Sequence, residues 1–334
     1  MKGGRALEVS VLLVGWGWTY EQIKTSFIEM DRLGFDVAYL GDDLFAHPPR
    51  EAVIYDAVYE PWTVLPAMAQ LTERIKLGSL VSPVNRRNPG LFAKMTTMVD
   101  LVSGGRVIVG RGLGNAPEQH RSIGQEFPEP PARFEMLEEE LAIIRGMWTQ
   151  PRTTFEGRHF EAHNAVNEPK PISEPHPEIL LGFGGGKKMT ALAAEYASRV
   201  NLFGLEDDHI RAMVARLSRA CEAIGRDPEA ITVSRLINLV FTDDPVSEVD
   251  RLPLLREIAA EIGDDPDEFL TDNVDHIPYF IGPPRDCPEF LQRRALDLGL
   301  REVVLCIDTI GRNSFERTMN GLRTFAEQVM PRLG

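Results

Sequence analysis

The segment from Pro177 to Gly204 reads PEILLGFGGGKKMTALAAEYASRVNLFG and contains one complete strand–helix–strand unit. An apolar run from Ile179 to Leu181 precedes four glycines within five positions. A helical pattern follows and leads to a second apolar run from Val200 to Phe203. Two strands joined by a crossover helix lie parallel in one sheet, so the segment predicts an α/β fold.

The glycine turn in this segment matches neither of the two common nucleotide loops. Counted from Gly182, both the dinucleotide loop and the triphosphate loop require glycine at Lys187. A strand that passes through a glycine turn into a helix still leaves unpaired N–H groups, where an anion binds readily. A plain strand-to-helix turn is the alternative. The residues expected to receive a phosphate are Gly184, Gly185 and Gly186, followed by Lys187.

Length, charge and cysteine content limit the classes of protein. The chain has 334 residues, 43% apolar and 26% charged, enough for a sizeable core in one barrel domain. Its formal net charge of −14, without a basic run, argues against nucleic acids and anionic membranes as partners. Cys221, Cys287 and Cys306 are too far apart to predict a disulfide framework or a metal site. The first apolar run is too short for a signal sequence, so we expect a cytoplasmic protein.

Apolar strands and amphipathic helices alternate along the whole chain. Thr19 and Gln22 predict a capping box for a helix that ends at Gly34, and Pro89 and Gly104 bound another helix. Eight strands that alternate with helices close a barrel, so the sequence predicts one α/β domain, a (β/α)8 TIM barrel. The predicted strands are Val9–Val14, Val37–Leu40, Ile75–Val81, Val107–Val109, Ile179–Leu181, Val200–Phe203, Ile231–Phe241 and Val303–Ile307.

Two segments exceed the minimal repeat and are predicted insertions after strands 4 and 7. Residues 150–176 suggest a short hairpin with extended chain, and residues 243–280 are acidic and rich in Asp-Pro. We expect both to leave from the C-terminal ends of strands, where barrel enzymes build their sites, and to act as lids.

Chemically unusual residues follow the first four predicted strands. Because the C-terminal strand ends of a barrel share one mouth, we expect these side chains to lie close together. Aromatic, acidic and basic groups around one mouth suit a flat aromatic cofactor with a phosphate tail. In chain order they are Trp16 and Trp18, then Asp42, Asp43, Phe45 and His47, then Ser79, Leu80 and Val81, and finally Arg111 and Asn115.

The adjacent acids Asp42 and Asp43 are the first candidates for proton transfer. Two neighbouring carboxylates cannot both ionise freely in a closed site, so we expect one to be partly protonated. We take Asp42 as the principal catalytic residue. If the strand alternation continues through these positions, the Asp43 side chain points the other way. His47 and His120 are further candidates, with simple exposure as the alternative for each.

Three longer stretches carry a family resemblance. They are residues 76–124, which include NRRNP and RGLGNAP, residues 133–160, and the segment 179–204. Together they resemble the luciferase-like superfamily of flavin-dependent monooxygenases and coenzyme F420-dependent oxidoreductases. The resemblance covers roughly residues 8–241, with a weaker part in 281–308. It implies a barrel that binds F420 or FMN in its mouth and oxidises or reduces a small organic molecule.

The resemblance also implies roles for individual positions. Ser79-Leu80-Val81 correspond to a bulge that supports the cofactor ring in relatives, often with a non-proline cis bond, which we expect at Ser79–Leu80. Asp42 corresponds to the acid of an Asp-His pair, and Asp43 stands where relatives carry the histidine. Asn115 replaces a glutamate proton donor of sugar-phosphate-oxidising relatives, so that activity is not expected.

Two signals for the cofactor conflict. Arg111-Gly112-Leu113 with Asn115 resembles the segment that holds the FMN phosphate, whereas the NRRNP and GGGKK turns resemble the F420 branch. We favour F420, with hydride transfer; FMN, with oxygen insertion and a separate cofactor reductase, stays open, as does a non-catalytic flavin-binding protein. The resemblance also implies a homo-oligomer. Trp16, Trp18 and Phe45 suggest an apolar or aromatic substrate.

Overall fold

The computed structural model describes residues 6–45, 57–202, 206–244, 278–307 and 314–333, together with positions 246, 253 and 256. Its strands are β1 (Glu8–Leu13), β2 (Val37–Leu40), β3 (Lys76–Ser79), β4 (Ser82–Pro83), β5 (Val107–Gly112), β6 (Thr153–Glu156), β7 (Glu161–Ala165), β8 (Glu178–Phe183), β9 (Arg199–Leu202), β10 (Thr232–Phe241), β11 (Tyr279–Gly282) and β12 (Glu302–Ile307). Its α-helices are α1 (Tyr20–Leu33), α2 (Pro61–Leu71), α3 (Pro89–Ser103), α4 (Pro117–Ser122), α5 (Pro130–Thr149), α6 (Lys187–Tyr196), α7 (Asp207–Ala223), α8 (Cys287–Arg294) and α9 (Phe315–Thr324).

Eight parallel strands close into a barrel with the helices on its outside. Their order is β1, β2, β3, β5, β8, β9, β10 and β12, and β12 pairs with β1 to complete the circle. The (β/α)8 TIM-barrel prediction is therefore confirmed. All eight predicted barrel strands are present, with ends that differ by a few residues.

Successive side chains of each barrel strand point alternately inward and outward. In β2, Val37 and Tyr39 belong to the cluster inside the barrel, whereas Ala38 and Leu40 belong to the layer under the helices. Ile108 of β5 likewise lies inside. The period of two is the ordinary geometry of a strand, and it decides which residues face the mouth.

Glycines allow β3 and β5 to lie unusually close. A Cβ atom on Gly78 would collide with the Ile108 carbonyl oxygen, and one on Gly110 would collide with the Ser79 carbonyl oxygen. Backbone atoms cannot move aside as a flexible side chain can. The two strands therefore need glycine at both positions.

The predicted helix ends are present. Thr19 and Gln22 form the capping box of α1, which ends at Gly34 with φ of 87°. Asn88 caps α3 by accepting from two backbone N–H groups, and Pro89 occupies its first turn. These caps satisfy groups that a helix end otherwise leaves unpaired.

The segment 150–176 is a hairpin and extended chain, as predicted, but it is not a lid. Strands β6 and β7 pair antiparallel, and the chain then runs to the N-terminal end of β8. The hairpin packs along α5, where Glu139 accepts from the backbone N–H of Arg158. No residue of this segment lines the cavity at the mouth. It follows a helix rather than a strand, and so it starts from the opposite end of the barrel.

Two short strands were not predicted. Ser82–Pro83 pairs with the end of β5, and Tyr279–Gly282 pairs parallel with the second half of β10. The latter overlaps the last two residues of the predicted 243–280 insertion and continues beyond it. Most of that insertion, and with it the prediction that it forms a lid, lies outside the described residues.

A charged cluster occupies the barrel end opposite the mouth. Arg199, the first residue of β9, pairs with Glu302 at 3.0 Å, Glu178 at 2.6 Å and Glu8 at 2.7 Å. These acids are the first residues of β12, β8 and β1. Glu302 is fully buried and also accepts from the Ser10 hydroxyl. Burial raises the pKa of Glu302 above its ordinary value, and Arg199 acts in the opposite direction.

Replacing Arg199 with methionine should lower the free energy of unfolding by about 3–5 kcal/mol at pH 8, because Glu302 is left buried without its cation. The pKa of Glu302, already raised in the folded state, should rise further in the variant. The destabilisation is then complete above that pKa and shrinks as the pH falls toward the ordinary value of 4.5. Urea unfolding at pH 8 and pH 5 measures this difference.

Lys76→Met is the matched control, since the half-exposed Lys76 contacts only Glu178 among these acids. It should change stability by less than about 1 kcal/mol. If Arg199→Met lowers the free energy of unfolding equally at both pH values, the assigned role of Glu302 is contradicted.

Candidate active site

A cavity of about 800 Å³ opens at the C-terminal ends of the strands. Its floor is apolar and is formed by Leu12, Leu80, Val81 and Leu236. Polar groups stand around the rim, so a ligand with a flat apolar body and polar substituents fits this arrangement. The polar residues that line it are Asp42, Asp43, Arg86, Asn115, Gln119, His120 and Asn201.

The peptide bond between Leu80 and Val81, in the cavity floor, is cis. The predicted position, Ser79–Leu80, is one residue too early. Ser79 still pairs with Leu40 in the ladder, and the Leu80 N–H donates to the Leu40 carbonyl at 2.9 Å. The peptide before Leu80 therefore remains part of the regular strand. Leu80 and Val81 line the cavity, whereas Ser79 is buried outside it and donates to the Gly110 carbonyl.

The glycine turn opens on the same cavity. A Cβ atom on Gly184 or Gly186 would meet nothing within 4 Å, so the backbone here is open to a ligand. Gly185 has φ of 89°, and a Cβ atom there would collide with Met213. Gly186 is the N-cap of α6 and has no side-chain hydrogen bond to the first turn. Backbone N–H groups at this helix end can thus bind a phosphate, and the turn fits that group.

Lys187 begins α6 next to this turn. Its side chain is exposed and is not among the residues that line the cavity. A lysine there can still reach a phosphate at the helix N-terminus, because its stem is long and flexible. Its predicted role stays a prediction.

Asp42 is engaged in a buried ion pair. Its side chain is fully buried, and its two oxygens accept from Arg87 Nη1 at 2.5 Å and Nη2 at 3.0 Å. Arg87 also pairs with Glu60, the N-cap residue of α2. This bidentate contact links the end of β2 to α2 and to the loop before α3. The geometry gives Asp42 a positioning role.

Asp43 is the acid that continues the inward series of Val37 and Tyr39. Its Oδ1 accepts from Gln119 Nε2 at 3.1 Å. Gln119 is fully buried and also accepts from the Leu44 N–H at 3.1 Å. The structure does not turn Asp43 away from the mouth, contrary to expectation, because the alternation of β2 has the opposite phase. Both acids line the cavity, and the role of Asp42 as principal catalytic residue stays a prediction.

Arg111 lies outside the cavity, contrary to its predicted place at a cofactor phosphate. Its side chain continues the outward-facing series of Val107 and Val109 in β5. It is fully buried and forms an ion pair with Glu140 of α5. Its guanidinium also lies 4.6 Å from the centre of the Phe92 ring. Burial raises the pKa of Glu140, while Arg111 acts in the opposite direction. Gly112, the next residue, is the one that faces the mouth.

The predicted substrate wall is only partly present. Trp16 lines the cavity, but Trp18 is buried against Phe315, with ring centres 5.2 Å apart. Phe45 does not line the cavity, and its carbonyl accepts from Gln119 at 3.1 Å. Asn115 lines the mouth and is exposed. The candidate His47 lies outside the part of the chain that the structure describes.

The structure makes His120 a stronger candidate for proton transfer than the sequence did. It is buried at the cavity wall in α4, and its Nδ1 donates to the Ala116 carbonyl at 3.1 Å. Nε2 is buried without a hydrogen-bond partner. Burial lowers the pKa of His120, which favours a neutral ring whose Nε2 can accept a proton. The only sequence signal was a histidine a few residues after a strand end.

Two other kinds of site receive no support. Within the described ranges there is no group of three or more His, Cys, Asp and Glu side chains that could hold a metal ion. The same ranges contain no helix long and apolar enough to span a membrane.

A parallel barrel with an open glycine turn and an apolar floor at its C-terminal mouth is an arrangement that suits a cofactor-dependent barrel enzyme. The family model for luciferase-like monooxygenase matches residues 15–258. The chain belongs to this family, which confirms the resemblance drawn from its sequence.

Relatives of similar sequence include a ketoreductase and an F420-dependent dehydrogenase. The chain is 32% identical over 234 residues to a phthiodiolone/phenolphthiodiolone dimycocerosates ketoreductase of Mycobacterium tuberculosis, covering 65% of this chain and 60% of that protein. It is 32% identical over 197 residues to an F420-dependent glucose-6-phosphate dehydrogenase of Intrasporangium calvum, covering 57% and 56%. The chain thus spans less than two thirds of the length of either relative.

Solved structures show the same fold at low identity. An F420-dependent secondary alcohol dehydrogenase with an F420–acetone adduct has a TM-score of 0.78 at 20% identity, over 98% of this chain and 99% of that one. A long-chain alkane monooxygenase has a TM-score of 0.79 at 14% identity, over 98% and 91%. These likenesses concern the fold alone.

Matched asparagine variants of Asp42 and Asp43 should distinguish the roles of the two acids. Asp43→Asn should lower turnover about 100-fold or more with cofactor affinity within a few-fold, the scale for losing a positioned proton-transfer group. Asp42→Asn should instead lower the free energy of unfolding by about 1–3 kcal/mol, because Arg87 loses one of its two carboxylates. Single-turnover kinetics and urea unfolding measure the two effects. Normal stability with a larger loss of turnover in Asp42→Asn would restore the ranking expected from the sequence.

Proposed function

We propose that this protein is an F420-dependent oxidoreductase that transfers a hydride between the deazaflavin and a small organic substrate. One observation carries the proposal: the open glycine turn at the N-terminus of α6 and the apolar floor of Leu80 and Val81 face one cavity. A phosphate-bearing cofactor with a flat ring needs both features together.

The placement of Arg111 supports F420 over FMN. The sequence signal for FMN was the segment Arg111-Gly112-Leu113 with Asn115. Arg111, the charged residue of that segment, is buried against Glu140 rather than turned to the cavity, although the other three residues line it. The glycine turn, which with the NRRNP turn was the signal for F420, is open. A relative named as F420-dependent, at 32% identity, points the same way.

The bound cofactor supplies the hydride acceptor or donor, and this chain supplies position and protons. The backbone of Gly184 to Gly186 would hold the phosphate, and Leu80 and Val81 would support the ring. The neutral His120, through Nε2, or Asp43 would exchange the substrate proton at the rim. The apolar floor favours a substrate with an apolar or aromatic body and keeps water away from the ring.

An FMN-dependent monooxygenase is the second candidate. The resemblance of the segment Arg111-Gly112-Leu113 with Asn115 favours it, and Gly112, Leu113 and Asn115 line the cavity. That reading includes a separate reductase as a partner to supply the reduced flavin. Binding without turnover, with either cofactor, would instead indicate a flavin-binding protein that is not a catalyst.

Cofactor binding should depend on Lys187. Lys187→Ala should weaken binding of F420 by about 1–3 kcal/mol, the range for losing a charge-assisted hydrogen bond to phosphate. Quenching of tryptophan fluorescence, with Trp16 at the cavity, measures affinity for F420, FMN and riboflavin. Riboflavin lacks a phosphate and should bind the variant and the parent alike.

Lys188→Ala is the matched control, because it removes the same charge one residue further along α6. A parent that binds FMN more tightly than F420 would favour the monooxygenase. Equal loss in both lysine variants would show a general charge effect and remove the specific role of Lys187.

We also propose that the protein is cytoplasmic, as its sequence led us to expect, and that it is a homo-oligomer. Exposed apolar side chains on the barrel's outer helices and loops support the oligomer. Leu91 and Met98 of α3 are 58% and 55% exposed, and Ile172 beside the start of β5 is 52% exposed. Such a patch on a soluble domain is typical of an interface.

Met98→Glu should shift the protein toward the monomer, since a charge buried at an interface without a partner is strongly unfavourable. Light scattering after size-exclusion chromatography gives the mass. The control Ile224→Glu, at a 58% exposed site at the end of α7, should leave the mass unchanged. A monomeric parent would rule the proposal out.

A further inference from the structure

The Arg86 guanidinium is a buried cation at the cavity wall. The side chain is 6% exposed and lines the cavity. Its Nη1 donates to the Asp42 carbonyl at 3.4 Å and its Nη2 to Gln119 Oε1 at 3.3 Å, both at the long end of the hydrogen-bond range. Nε is buried without a partner. Among the residues that the structure describes, no carboxylate oxygen lies within 4.0 Å of this guanidinium.

Other buried arginines of this protein have such a carboxylate. Arg87 pairs with Asp42, Arg111 with Glu140, Arg199 with Glu302, and Arg235 with Asp207 at 2.9 Å. Burial of a charge is unfavourable unless it is paired, and burial indeed lowers the pKa of Arg86. Arg86 is therefore the cation in this set that lacks a close counter-charge.

The surroundings hold Arg86 in place. The Gln125 side chain donates to the Arg86 carbonyl at 3.1 Å. Gln119, which accepts from Arg86, is itself fixed by the Leu44 N–H and by Asp43. A guanidinium fixed in this way toward a cavity is preorganised for an anionic ligand.

We propose that Arg86 binds a carboxylate of the organic substrate, a specificity role that rests on the proposed function. The planar fork of arginine matches a carboxylate, and its buried Nε and long Nη contacts leave donors to spare. The Asp43 carboxylate lies beyond the Gln119 amide, so the rim suits a monoanion better than a doubly charged phosphate. Because the floor is apolar, the substrate is an apolar acid.

The cofactor phosphate has a separate place. The glycine turn follows β8, whereas Arg86 lies in the loop between β4 and α3, with β5 between the two in the barrel. The two anions can therefore bind together, one at the turn and one at Arg86.

Octanoate and its neutral isostere octanamide test the proposal on the cofactor-free protein by isothermal titration. The parent should bind octanoate about 10- to 100-fold more tightly than octanamide, the range for a charge-assisted hydrogen bond. Arg86→Met should abolish this preference without changing octanamide binding, and Arg86→Lys should keep part of it. Lys187→Ala should leave it intact.

Two results would overturn the proposal. The first is a parent protein that shows no preference for octanoate over octanamide. This measurement needs no variant, so it can be made even if Arg86→Met does not fold. The second is an Arg86→Met variant that retains the preference but loses the advantage of FMN over riboflavin, which would place the cofactor phosphate at Arg86. Failure of the proposed function is seen separately, as absence of F420 binding or of its reduction.

Discussion

The alternation of side chains along the barrel strands is the constraint on which the site depends. An inward residue reaches the barrel interior or the mouth, and its neighbour is packed under the helices. The phase set by Val37 and Tyr39 turns Asp43 toward the mouth and gives Asp42 to an ion pair with Arg87. In β5 the same rule presents Gly112 to the cavity and buries Arg111 against α5.

Charge neutralisation organises both ends of the barrel. At the end away from the mouth, Arg199 is surrounded by three acids that are the first residues of β1, β8 and β12, so this buried arginine is fully paired. At the mouth, ion pairs tie the loops together and leave Arg86 with only weak contacts. The fully paired Arg199 marks the structural end of the barrel, and the incompletely paired Arg86 marks the end that binds ligands.

The fold was predictable from the sequence, because strand and helix patterns with their caps repeat eight times. The open glycine turn at the cavity was also predictable, since a strand that enters a helix through glycines leaves backbone N–H groups exposed there. Its role in binding a phosphate stays a prediction. The orientation expected for Asp43 was wrong because the sequence does not give the phase of a strand end, and the catalytic ranking of Asp42 and Asp43 stays a prediction. The lid prediction for residues 150–176 failed because these residues follow α5, after which the chain has returned to the opposite end of the barrel. Arg86 was not singled out, since one arginine in NRRNP differs from the next only by the partners that the fold provides.

The glycine contact between β3 and β5 has a consequence for how this barrel can vary. No side chain of any size can replace hydrogen at Gly78 or Gly110 while the two strands keep their spacing. New specificities on that side of the molecule must therefore arise by substitution in the loops above, where Arg86 and Asn115 stand. The sequence of β3 and β5 is constrained at these positions, so changes in substrate specificity are confined to the loops at the rim.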